Sequence, residues 1–395
     1  MLNLNILIYP FIGILSIIGI LKNKEKIIFK FLSVLLLFLS MVRFDTGYDY
    51  YWYYAVSKTE FMNDAQIIEM YKGLEPGIKK IIDIARYFNH PQYFFAVTAL
   101  ITCGFIFYTI FRDSEEILIS LNLFLFFQLG FFSTNGMVRQ ACAFAICYFS
   151  ARLIYDRRWL EGAALIILAA IFFHNSAIIC LIYLFVPRKK IKTRYFLIYG
   201  ILLVIVLKTI LPKLISIYFP GYYYLLFLEN NELYGKRDIV LSGLIILGVL
   251  ILRYLKMYKI SENEKSYYSY LENLFIGGAI FSIISLFEYG GFFPFRVGIY
   301  FLIFILTLGG NYIKELKFDQ KNILKIGVII FINVYFFRGI IKKDYFILNK
   351  KIERNNEKKI DYRPNSYGFK LFFGKTENDM ERYLPSGTKH ERTAE

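Results

Sequence analysis

Three isolated arginines and one histidine lie next to long apolar runs of this sequence, where charged side chains are rare. They are Arg43, Arg139, Arg296 and His174. A guanidinium group keeps its positive charge and binds phosphate or diphosphate through two parallel hydrogen bonds. A histidine with a pKa near ~6.5, or a carboxylate whose pKa is raised by burial, accepts a proton from a hydroxyl at neutral pH. These residue types suit a reaction between a lipid diphosphate and a sugar hydroxyl.

The carboxylates closest to these cations follow Arg43 in the sequence RFDTGYDYYWYY, which contains Asp45, Asp49 and Tyr50. Carboxylates would repel a diphosphate, whereas they accept hydrogen bonds from the hydroxyls of a neutral sugar. We therefore expect Arg43, Asp45 and Asp49 to form a gate on the acceptor side of a site. We expect Tyr50 to offer an aromatic face to a sugar ring.

Each of these residues also has a structural interpretation. An arginine at the end of a membrane span can extend its guanidinium group to the interface, and a histidine at a helix break can cap the next helix. A tyrosine-rich segment is more often part of an aromatic belt than a sugar-binding surface. The functional interpretation depends on all of these residues facing the same side of a membrane.

Several other classes of site have no sequence signal. The chain contains no glycine-rich nucleotide loop, no DxD carboxylate pair and no set of metal ligands, and Cys103, Cys142, Cys147 and Cys180 lie singly in apolar runs. We therefore expect no cofactor, no metal and no disulfide framework. The donor of a sugar-transfer reaction would then be carried by the membrane rather than by a nucleotide.

The composition is that of a membrane protein. Of 395 residues, 57% are hydrophobic and 19% aromatic, and the mean hydropathy is +0.46. A soluble domain is about 45–50% apolar. The net charge of +16 does not point to nucleic acid, because the basic residues lie at the ends of apolar runs. The first apolar run has no basic segment before it and no cleavage site, so we expect it to be retained as a membrane span.

Twelve apolar runs are predicted to span a membrane, at roughly 20 residues per crossing. They lie near residues 4–21, 27–42, 93–111, 117–134, 138–154, 159–173, 176–187, 195–211, 239–257, 271–287, 297–311 and 323–341. Short connectors rich in lysine and arginine alternate with longer, less basic connectors. The positive-inside rule places the basic connectors in the cytoplasm and the segments with Arg43, Arg139, His174 and Arg296 outside.

The run from Trp159 to Pro187 is interrupted at Phe173-His174-Asn175-Ser176. As a single helix it would be about 43 Å long, which exceeds a hydrocarbon core of about 30 Å. Because both of its flanks are basic, we predict a hairpin with His174 at the apex, below the outer surface.

The predicted spans form one domain over residues 1–341, followed by a polar tail over residues 342–395. The outer connector, about 43–92, contains an amphipathic stretch from Ile78 to Phe88 that is expected to lie in the membrane interface as a helix. A second outer loop covers about 212–238. No linker or repeat indicates a second folded domain.

Three motifs, taken in order, resemble those of the EpsG-like, Wzy-type polysaccharide polymerases. RFDTGYDY from Arg43 resembles the R-x-x-x-G-x-D-Y element of that family. NGMVRQACA, which contains Arg139 and Gln140, is similar to its arginine-glutamine motif, and FHNSA, which contains His174, is similar to its F-H-x-S-A motif. With Arg296 as a late outer arginine, the resemblance covers about residues 1–310.

The resemblance implies an all-α, polytopic integral membrane protein with a GT-C-like glycosyltransferase architecture. Such enzymes act on the outer face of the bacterial inner membrane. They move a growing glycan of O-antigen, capsule or exopolysaccharide from undecaprenyl diphosphate onto the non-reducing end of the next lipid-linked repeat unit. Arg139 and Arg296 would hold the donor diphosphate, with Gln140 as a further substrate-binding residue, and Arg43 and Asp49 would order the outer loop or contact the acceptor.

His174 would be the leading candidate for the general base, with Asp45 or Glu75 as carboxylate alternatives. The implied partners are the bilayer and the undecaprenyl-diphosphate-linked oligosaccharide that serves as donor and acceptor. A chain-length regulator and a flippase of the same pathway are further candidates, and nucleic acid is not expected.

Two other functions remain open at this point. A flippase of lipid-linked oligosaccharide also needs cationic residues, but along a path that is accessible from both faces. A membrane O-acetyltransferase also uses histidine and arginine, but its acyl-donor site faces the cytoplasm.

Overall fold

A computed structural model describes residues 8–44, 49–59, 65–126, 131–210, 213, 217, 265–289, 292–315, 320–334 and 370–371. Most of these residues are helical, which confirms the all-α prediction. The first part of the chain forms α1 (Ile8–Leu21), α2 (Glu25–Met41), β1 (Arg43–Phe44), α3 (Tyr50–Ser57), α4 (Ala65–Lys72), α5 (Pro76–Tyr87), α6 (Gln92–Asp113), α7 (Ile117–Phe126), α8 (Phe131–Gly136) and α9 (Val138–Tyr155).

The chain then continues through the segment in which a hairpin is predicted. α10 (Trp159–Phe172) is followed by a 3₁₀ helix (Asn175–Leu184), and the two pack against each other with His174 between them. The later elements are α11 (Thr193–Ile205) with a π-helical continuation (Val206–Ile210), α12 (Lys265–Tyr289), α13 (Phe292–Leu302), α14 (Ile305–Glu315), a helix over residues 321–334, and β2 (Lys370–Leu371).

Two stretches among the described residues are long and apolar enough to cross a membrane, Gln92–Asp113 and Arg296–Lys314. Shorter apolar helices occur at Pro10–Leu21, Trp159–Phe172, Asn175–Leu184 and Arg194–Leu203. The predicted span 239–257 lies outside the described residues, as do most of the second outer loop and of the tail. The count of twelve spans and the GT-C-like architecture stay predictions.

α9 is the central helix of the core because it is apolar on all sides and rich in small residues. Ala141, Cys142, Ala143, Ala145 and Cys147 are fully buried. Small side chains allow helices to approach closely. α9 packs against α6, α8, α10, the 3₁₀ helix and α13, so its first turn is held from several directions.

Ion pairs gather the predicted cytoplasmic connectors at one end of the molecule, which we call the basic end. Lys325 contacts Glu116 at 2.6 Å and Glu25 at 3.2 Å. Lys314 pairs with Glu115, and Lys190 lies 3.7 Å from the buried Glu272. Because these pairs join connectors that are far apart in sequence, the connectors occupy one end, as their alternation predicts.

The predicted outer connectors meet at the opposite end. Gln92 donates hydrogen bonds to the backbone oxygens of Met41 and Arg43, which ties the start of α6 to the end of α2. Arg43 and Leu371 are paired residues of a two-residue antiparallel ladder, so part of the tail also lies at this end. The helix expected over residues 78–88 is present as α5, which buries Ile78 and Ile82.

Candidate functional site

Arg139 is the central cation of the opposite end, and two side chains hold it. It lies in the first turn of α9, and its Nη1 atom is 2.9 Å from Oε2 of Glu75. Tyr53, which lies on α3, also interacts with the Arg139 side chain. The Arg139 side chain is 29% exposed and that of Glu75 is 10% exposed, so one face of the guanidinium group remains open.

Arg296 adjoins Arg139 although 157 positions separate them in the sequence (296 − 139). Gln140, the residue after Arg139, donates a hydrogen bond to the backbone oxygen of Arg296. Both guanidinium groups act on the carboxylate of Asp49. Burial raises the pKa of Asp49 above its ordinary value, and the positive charges of Arg296 and Arg139 oppose that rise.

His174 is held by the residue two positions after it. The backbone N–H of Ser176 donates to Nδ1 of His174 at 3.2 Å, and Oγ of Ser176 lies 2.7 Å from the same nitrogen. The Ser176 hydroxyl is in turn 2.9 Å from the hydroxyl of Tyr300. A backbone N–H can only donate, so Nδ1 must accept and the neutral ring carries its proton on Nε2.

The charge state of His174 follows from its surroundings. Burial, together with the positive charges of Arg139 and Arg296, lowers the pKa of His174 to about 3. The ring is therefore neutral at physiological pH. Its Nδ1 lone pair is directed at Ser176 and its Nε2 holds a proton, so this geometry makes His174 a hydrogen-bond donor rather than the expected general base.

Six residues therefore form what we call the arginine site: Asp49, Tyr53, Glu75, Arg139, His174 and Arg296. Three of them, Asp49, Glu75 and His174, are the N-cap residues of α3, α5 and the 3₁₀ helix. A helix N-terminus carries a partial positive charge and exposes unpaired backbone N–H groups. With two guanidinium groups beside these termini, the site is suited to bind an anion such as a phosphate or diphosphate.

The structure places Arg43 apart from the arginine site, which differs from the expected acceptor-side gate. Arg43 is only 1% exposed, and its Nη1 atom donates to Oδ1 of Asn135 at 2.8 Å. Its guanidinium carbon lies 4.8 Å from the centre of the Phe95 ring. Arg43 therefore braces the end of α2 against α8, whereas Asp49, its expected partner, lies with the other two arginines.

Two further predictions concern residues of the same connector. Tyr50 is fully buried and stacks on Phe95, with ring centroids 4.4 Å apart, so it presents no face to a sugar. Asp45 lies outside the described residues. Glu75 is present at the site, but as the ion-pair partner of Arg139.

Sequence reasoning missed the supporting roles of Tyr53, Ser176 and Tyr300. The sequence feature that could have identified each one is its spacing from a predicted site residue. Tyr53 follows Asp49 by four positions, Tyr300 follows Arg296 by four, and Ser176 follows His174 by two. Gln140 was recognised, and it joins α9 to α13 through the backbone of Arg296.

Among the residues that the structure describes, no group of three or more histidines, cysteines, aspartates or glutamates is placed to hold a metal ion. The polar groups of the arginine site consist of two cations, two carboxylates, a phenol and an imidazole. This set can bind a polyanion and accept a proton at a carboxylate.

An apolar, mostly helical chain whose charged side chains collect at helix ends has the features of a membrane protein. Comparison with known protein families identifies the family of the chain. The EpsG family model matches residues 5–352, so the chain belongs to the EpsG family. Membership indicates a glycosyltransferase-like polymerase in membrane polysaccharide biosynthesis. No curated protein and no solved structure matches the chain.

Gly77, in the first turn of α5, holds this helix close to the hairpin. A Cβ atom at Gly77 would lie 2.6 Å from the backbone oxygen of Phe172. We expect Gly77→Ala to push α5 away from the hairpin, at a cost of about 1–3 kcal/mol. Because Glu75 and His174 lie within two residues of this contact, polymer formation in cells should fall at least about tenfold.

The matched control is Gly73→Ala, in the turn before α5. A Cβ atom there has its nearest neighbour at 3.6 Å, an ordinary contact distance. This variant should keep wild-type polymer levels. Equal losses in the two variants, at equal amounts of membrane-inserted protein, would show that the Gly77 contact does not position the site.

Proposed function

We propose that the chain is a polysaccharide repeat-unit polymerase, an inverting membrane glycosyltransferase. It moves a growing glycan from undecaprenyl diphosphate onto the non-reducing end of the next lipid-linked repeat unit. The observation that carries this proposal is the arginine site, in which the charges of Arg139 and Arg296 both act on Asp49 and His174, the N-cap residues of two helices. The site lies at the end predicted to face the periplasm or cell exterior in a multi-pass inner-membrane protein.

The two arginines bind the donor diphosphate. Their fixed positive charges offset the negative charge that develops on the diphosphate as the bond to the anomeric carbon breaks. Glu75 keeps Arg139 in position through the 2.9 Å ion pair. The Nε2 proton of His174 is donated as a hydrogen bond to the same anionic group.

Asp49 is the proposed general base. Its carboxylate has a raised pKa, and no described contact commits it to a single arginine as Glu75 is committed to Arg139. Asp49 accepts the proton of the acceptor hydroxyl while the hydroxyl oxygen attacks the anomeric carbon. The attack is opposite the leaving group, so undecaprenyl diphosphate departs with the electron pair and the configuration inverts.

The partners follow from this reaction. The lipid-linked oligosaccharide serves as both donor and acceptor within the bilayer, and a flippase must supply it from the cytoplasmic side. A chain-length regulator is a further proposed partner, because polymer length is not set by the bond-forming step.

Arg139→Lys is expected to impair polymerisation nearly as much as Arg139→Ala. An ammonium group lacks the planar fork that lets one side chain contact Glu75, Tyr53 and a diphosphate together. The measurement is gel analysis of surface and lipid-linked glycans in a deletion strain complemented with each variant. Arg158→Lys, at an exposed pair with Glu161 on the basic end, is the control and should restore full-length chains.

The glycan pattern separates the candidate functions. Lipid-linked single repeat units should accumulate on the outer face in the Arg139 variants. Their retention on the cytoplasmic face, with loss of all surface glycan, would indicate a flippase. Full-length chains that lack only acetyl groups would indicate an O-acetyltransferase.

The role of His174 predicts different effects for its two amide substitutions. The glutamine amide reaches the Nε2 position and can donate there, whereas the asparagine amide reaches only the Nδ1 position. We expect His174→Gln to lose about tenfold in rate and His174→Asn about a hundredfold. Because the pKa of His174 is about 3, wild type and His174→Gln should have pH profiles of the same shape between pH ~5 and ~8.

The pH dependence of folding stability is an independent check on the charge state of His174. The folded state disfavours the protonated His174 ring, so wild type should lose stability as the pH falls from ~6.5 towards ~3, and both amide variants should lose less. Two results together would instead identify His174 as the general base. They are equal inactivity of the two variants and a wild-type rate that depends on an ionisation at about pH 6.5.

A further inference from the structure

A polar cavity with a volume of about 850 Å³ opens at the basic end of the molecule. We call it the basic-end cavity. It is separate from the arginine site, because α9 carries Arg139 in its first turn and Arg152, which lines the cavity, in its last turn. Thirteen residues of helix place these two positions about 20 Å apart.

The cavity lies where four connectors meet. Its walls are the turn between α1 and α2 with the first residues of α2 (Asn23–Ile27), the end of α6 with the turn after it (Phe111–Glu115), the end of α9 and the start of α12. Tyr155, Tyr267 and Tyr268 line the side formed by the last two elements. Cavities of this kind between helix ends can hold the head group of a lipid.

The carboxylates in the wall are already neutralised by other cations. Asp113 accepts from Nε of Arg112 at 2.7 Å and from the hydroxyl of Tyr267 at 2.9 Å. Glu115 pairs with Lys314, and Glu25 shares Lys325 with Glu116; neither lysine is part of the wall. These ion pairs offset most of the negative charge of the wall.

Two cations of the wall remain exposed, Lys24 in the turn between α1 and α2 and Lys26 in the first turn of α2. Arg152 is a further cation of the wall. The guanidinium carbon of Arg152 lies 4.4 Å from the centre of the Tyr267 ring, and its Nε atom is 2.9 Å from Oδ2 of Asp156. The cavity thus presents an excess of positive charge to its contents.

The rim of the cavity is apolar. Ile27 is 65% exposed and Phe111 is 39% exposed, and both belong to the wall. Phe31, which follows Ile27 by four positions on α2 and so lies on the same face of that helix, is also more than half exposed. A free anion would gain nothing from such a rim, whereas the acyl chains of a lipid would lie along it.

We propose that the basic-end cavity binds the phosphate head group of an anionic glycerophospholipid, with the acyl chains against Ile27 and Phe111. The phosphate lies between Lys24 and Lys26 on one side and Arg152 on the other. In the topology proposed above this end faces the cytoplasm, where the inner leaflet supplies such lipids. The lipid holds the turn between α1 and α2 against the end of α6.

The test compares two double variants that remove the same charge from the same end. Lys24→Gln with Lys26→Gln changes the cavity, and Lys22→Gln with Lys189→Gln changes exposed lysines outside its wall. Purified full-length protein is placed in nanodiscs of dioleoyl phosphatidylglycerol and dioleoyl phosphatidylcholine. Lipids retained on gentle detergent extraction are counted by native mass spectrometry.

We expect wild type and the Lys22/Lys189 variant to retain one phosphatidylglycerol, and the Lys24/Lys26 variant to retain it about tenfold less. Equal retention by the two double variants would overturn the proposal. So would displacement of the lipid by inorganic phosphate, because the site would then recognise a free anion. No glycan substrate is used, so failure of this test is independent of failure of the proposed polymerase activity.

Discussion

The contact between Arg139 and Glu75 holds the candidate site together. It joins the first turn of the buried helix α9 to the connector that precedes α5, and these elements come from distant parts of the sequence. A guanidinium group in a partly buried position is costly unless a carboxylate or several acceptors contact it. Glu75 and Tyr53 meet that requirement on one side of Arg139, which leaves the other side for a ligand.

The protonation of the neighbouring residues His174 and Asp49 depends on burial and on this positive charge. His174 remains neutral because burial, together with the nearby charges of Arg139 and Arg296, lowers the pKa of its ring. Asp49 lies near the same two groups, yet burial keeps its proton affinity above that of an exposed aspartate. One end of the molecule thus brings together fixed cations, a neutral hydrogen-bond donor and a carboxylate suited to accept a proton.

Much of this arrangement could be predicted from the sequence because it depends on patterns that act over many residues. Apolar runs indicate helices, the alternation of basic connectors separates the two ends, and the break at His174 divides a run that is too long for one crossing. The convergence of Arg139 and Arg296 follows from that alternation. The burial of Arg43 and Tyr50 could not be predicted, because it depends on packing against Asn135 and Phe95. The protonated nitrogen of His174 could not be predicted either, since it is set by a single backbone N–H.

The proposed reaction requires that this chain alone joins lipid-linked repeat units and releases the lipid diphosphate. The most direct test is reconstitution of purified protein in liposomes with a synthetic undecaprenyl-diphosphate-linked repeat unit and no other protein. Glycosidic bonds and free undecaprenyl diphosphate are then counted in the same samples. We expect one released lipid diphosphate for each bond formed, with neither product in the Arg139→Ala protein. Movement of the intact repeat unit across the bilayer, without release of lipid diphosphate, would contradict the proposed reaction.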